Sequence, residues 1–167
     1  MISEIELART LGTAMGKLIG KGVELWSKDK IFKDIAELVK ESLARELRLA
    51  SVLIDEYEKV KDDDKTAQAF LDCIEIKAFE AISRAGIPLS RILPDPLDES
   101  FWGKLKLNAL ESNYVSSTDA GYRLIEKTYL RLKVFTIRRK IGHDRTKLDY
   151  LKKLLRASIK VLTGQDE

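Results

Sequence analysis

One cysteine, one histidine, three prolines and few aromatic residues set the first limits on this 167-residue chain. Cys73 stands alone, so no internal disulfide forms and a disulfide-stapled secreted scaffold is excluded. No apolar run approaches the roughly 20 residues that cross a bilayer. The opening Met-Ile-Ser-Glu-Ile-Glu is acidic and lacks the positive-then-apolar order of a signal peptide, so a cytoplasmic location is expected. Repeats, a Walker loop, a dinucleotide fingerprint and a Ser-His-Asp order are all missing. No cofactor is expected on those grounds.

Few breakers mean long helices. Hydrophobic residues make up 44% of the chain and charged residues 34%, with only nine glycines. At this length, that balance suits residues 1–167 as one helical domain around a real core. No segment alternates apolar and polar residues as a strand does. The expected fold class is all-α, an antiparallel helical bundle of five or six helices.

Local signals place the helices. Ser3 and Glu6 form a capping-box pair for a first helix reaching about Trp26. Asp29 caps a second, whose apolar residues recur at helical spacing from Ile31 to Val60 without a breaker. The run Asp62-Asp63-Asp64 ends it and caps a third, predicted to continue to Gly86 before Ile87 and Pro88. Residues 86–97 are irregular but apolar, and are expected to pack across the bundle. Asp98 or Ser100 caps a shorter helix through Phe101, Trp102, Leu105 and Leu110. Ser116, Ser117 and Thr118 offer a cap for the next, to Ile141, and a last helix runs from Asp144 to about Leu162.

Charge is divided unevenly along the chain. Residues 121–162 carry thirteen Lys/Arg against three Asp/Glu, while residues 1–120 carry seventeen against twenty-two. An acidic body is thus joined to a basic helical pair. On the last helix Arg145, Lys152, Lys153, Arg156 and Lys160 fall within an arc of roughly 100°; on the helix before it Arg123, Lys127, Arg131 and Arg138 share roughly 80°. Packed side by side, the two stripes would make one basic ridge for an acidic protein surface or a nucleic acid. The acidic body of a second copy would serve as well, making a homo-oligomer. The alternative is a solvated face neutralised by the chain's own carboxylates. Exposed aromatic residues that could stack single-stranded bases are not evident beside these cations.

Three glycines, Gly12, Gly16 and Gly20, repeat every four residues in an otherwise helical pattern. Each costs about 1 kcal/mol relative to alanine, so the spacing predicts a close-packing seam. That seam would lie inside the bundle, between copies or on a membrane surface. Lys17, Lys21 and Glu24 argue against insertion into a bilayer. The acidic run 62–64, with Asp55 and Glu58 before it, lacks the spacing and glycine of a calcium loop, so no metal is expected. Cys73 is expected as a small buried hydrophobe.

Two resemblances add to this reading. Arg138, four intervening residues and His143 form an Arg-x4-His string that resembles the signature of the HEPN family of helical ribonucleases. That resemblance implies Arg138 as ligand of the scissile phosphate and His143 as acid/base at a dimer interface, although Arg139 stands where the family usually has a small polar residue. The stretch from Arg45-Glu46-Leu47-Arg48 through residues 76–82 to Gly86-Ile87-Pro88-Leu89 resembles helical modules of prokaryotic antiphage defence proteins. It implies an accessory or regulatory subunit. The expected function is therefore binding, with catalysis by Arg138 and His143 as the alternative.

Overall fold

The computed structural model describes residues 30–103, 108–115, 117–141 and 147–165. All their regular structure is helical, with no strand among the described residues. Helix α1 spans Lys30–Lys59, 30 residues without a glycine or proline to break them. Its buried side is the predicted one: Ile35, Val39, Leu43, Leu47, Ile54 and Tyr57 recur every three, four or seven residues.

Asp63 then caps α2, Asp64–Asp72, accepting from Thr66 N at 3.3 Å and from its hydroxyl at 2.6 Å. The sequence pattern predicts one helix from here to Gly86. The structure breaks it at Cys73 and restarts it as α3, Lys77–Arg84. The restart has its own cap, supplied from a distance. Both carboxylate oxygens of Glu46 on α1 accept from the start of α3, from Ala78 N at 2.8 Å and Phe79 N at 3.3 Å. The break also places Cys73 in solvent, which corrects its expected burial.

Three single turns follow: α4 at Leu89–Ile92, α5 at Glu99–Trp102 and α6 at Ala109–Ser112. Ile87, Leu89, Leu93, Leu97 and Trp102 are buried, so this stretch packs on the core as its composition predicts. Asp98 caps α5 as expected, but Gly103, at φ 63°, ends it after one turn instead of letting it run to Leu110. Asn108 and Glu111 form a capping box that starts α6 afresh.

Helix α7 spans Ala120–Lys140 and α8 spans Leu148–Thr163. Asp95 satisfies the first amides of α7, accepting from Asp119 N at 3.0 Å and Ala120 N at 3.2 Å. Gly121 lets that loop come close, since a Cβ there would lie 2.6 Å from the Pro94 carbonyl oxygen. Lys152 near the start of α8 meets Asp55 and Glu58 near the end of α1, and Val161 near its end lies beside Gly121. Thus α8 runs antiparallel to both long helices. Thr128 and Ser158 join α7 to α8 by a buried hydroxyl pair at 2.7 Å.

Candidate interaction surface

Helix α7 is apolar on two sides. Leu124, Ile125, Tyr129, Leu132 and Phe135 turn into the core. On the outward side Leu130, Ile137 and Ile141 are 61%, 51% and 64% exposed, with half-buried Val134 between them. The spacing of four, three and four residues aligns them in a single stripe. Sequence reasoning had the residues needed to find this stripe but followed the cations instead.

Both edges of the stripe are basic. On one edge Lys133 meets Glu80 at 3.4 Å and Lys140 meets Asp72 at 2.8 Å, which holds the Asp72 carboxyl below its ordinary value. On the other, Arg131 and Arg138 are exposed and make no ion pair among the described residues.

A groove adjoins the stripe. It consists of hollows of about 580 and 220 Å³ that share Ile76, Glu80 and Lys133, between the α2–α3 connection and α7. Its wall is fixed from below: Phe79 stacks on Tyr129 with centroids 4.3 Å apart, and the Tyr129 hydroxyl donates to the Leu43 carbonyl at 3.5 Å. Burial raises the Glu46 carboxyl, more than the Ala78, Tyr129 and Phe79 hydrogen bonds lower it. Burial, with the neighbouring Glu46 charge, pushes the Tyr129 hydroxyl strongly up.

The other predicted residues are dispersed. Lys152 is held between Asp55 and Glu58 at 2.6 and 2.5 Å, and Lys160 is buried, donating to the Trp102 carbonyl at 3.0 Å. Lys153 and Arg156 are exposed and without an ion pair among the described residues. Arg123 is exposed and donates to Ser117 Oγ at 2.8 Å. Lys127 is half-buried over the rings of Tyr114 and Tyr150, at 5.9 and 5.7 Å. The cations therefore do not line one unbroken ridge across both helices, because Lys160 is buried and Lys152 is paired with two carboxylates of α1.

Arg145, His143 and the seam of Gly12, Gly16 and Gly20 lie outside the described residues. Among the described residues no three His, Cys, Asp or Glu side chains are grouped to hold a metal, and no helix is long and apolar enough to cross a membrane. Compared with protein-family models, curated proteins and solved structures, the chain matches none.

Proposed function

We propose that this chain is a non-catalytic binding subunit whose outward α7 face docks an acidic, amphipathic protein segment. The observation that carries the reading is the stripe of Leu130, Ile137 and Ile141 bordered by Arg131 and Arg138, which make no ion pair among the described residues. Aligned, exposed apolar residues favour an interaction site. Cations at their edge select carboxylates. A nucleic acid would use the cations alone and leave the stripe in water. An anionic bilayer would use both, and is the outcome that the vesicle arm of the test separates. Two copies joined through this stripe would bring basic edges together. With the helix expected over residues 3–26, the five described helices longer than one turn give a six-helix bundle as the scaffold.

The test is affinity capture from the native source after nuclease treatment. The expected result is a nuclease-resistant partner whose recovery falls with salt, in Ile137→Asp, and in the double variant Arg131→Gln/Arg138→Gln. Recovery that disappears with nuclease, or that neither substitution changes, contradicts the reading. Binding to phosphatidylserine vesicles that is lost in Ile137→Asp would assign the face to a membrane instead.

A further inference from the structure

The larger hollow of the groove carries a separate inference, which shares Leu130 with the docking stripe but none of its arginines. Its volume of about 580 Å³ lies in the range of small-ligand clefts. Along α7 it runs from Arg123 to Lys133, about 15 Å at helical rise. Its apolar lining includes Ile76, Phe79 and Leu130. The two ends differ in charge.

At the far end Lys133 is already neutralised by Glu80. At the near end Arg123 is fixed by Ser117 Oγ, and Lys127 by the two tyrosine rings. Neither cation has an ion-pair partner among the described residues. The remaining carboxylate of the lining, Glu126, accepts from the Tyr122 hydroxyl at 2.9 Å. Tyr150 beside Lys127 favours its charged form, so a positive charge is held in place without a counter-charge among the described residues. We propose that this groove binds small apolar carboxylates, with the carboxylate on Arg123 and Lys127 and the apolar body against Ile76, Phe79 and Leu130.

The test is an NMR titration of the full isotope-labelled chain with 4-phenylbutyrate, using 4-phenylbutanol as the uncharged control. Saturable shifts at the Phe79, Ser117 and Leu130 amides are expected with the acid, and binding about fivefold weaker or more with the alcohol. Arg123→Gln and Lys127→Gln should each weaken the acid about fivefold, and Lys153→Gln should leave it unchanged. Should Lys127→Gln lose the native spectrum, the exposed Arg123 still supplies the decisive variant. Absence of saturable shifts, equal binding of acid and alcohol, or indifference to Arg123→Gln overturns the proposal. Such a failure leaves partner docking standing, because Arg131, Arg138 and Ile141 take no part in this site.

Discussion

Glu46 ties α1 to α3 through both carboxylate oxygens, at a half-buried position. Two opposing effects meet there. The amides at the helix start favour the ionised carboxylate, and burial disfavours it more strongly, so the carboxyl rises above its ordinary 4.5. A raised folded-state value means that folding gains from protonation. The linked stability is fully present below 4.5 and is lost as pH rises through the raised value. Denaturant unfolding at a series of pH values should show that decline in the native chain, and Glu46→Gln should remove it. Glu46→Ala should destabilise by about 1–2 kcal/mol at neutral pH, because it strips the cap and leaves two amides unpaired. A flat difference between native chain and Glu46→Gln across acid pH would show that the carboxylate is not held this way.

Elements are joined here by a few long-range polar contacts laid over a continuous apolar core. The Thr128–Ser158 hydroxyl pair at the α7–α8 contact is the clearest. Thr128→Val and Ser158→Ala should each cost about 1 kcal/mol in urea midpoints, and the double variant less than their sum. Strict additivity would mean the two hydroxyls do not cooperate. The same kind of contact explains which elements could be read from sequence. Helix α1 was legible because its period is unbroken, and α2 and α5 because Asp63 and Asp98 cap them locally. The restart of α3 was not, because its cap comes from Glu46, 32 residues earlier. Nor was the cap of α7, which comes from Asp95 and not from the nearby serines and threonine.

For the whole molecule the difference between charge on a helix and charge on a surface decides the account. Helical arcs place cations correctly around one axis but say nothing of what other elements cover. Lys160 belongs to the basic arc of α8, yet Trp102 of α5 lies over it; Lys152 faces the carboxylates of α1. Lys153 and Arg156 stay exposed on α8, but the outward face of α7 is where apolar residues and arginines share one surface. Its apolar half was legible in residues 130–141, since a helix with apolar residues on both sides needs a second neighbour.

The central claim is therefore that α7 offers this face to a segment that is both apolar and acidic. Fluorescence anisotropy with two labelled helical peptides tests it most directly. The two share a leucine face and differ only in its flanks, glutamate in one and lysine in the other. Saturable binding of the glutamate peptide alone, weakened about tenfold by rising salt and abolished in Leu130→Asp/Ile137→Asp, is predicted. Equal binding of both peptides, binding of neither, or binding that survives the double substitution would contradict it.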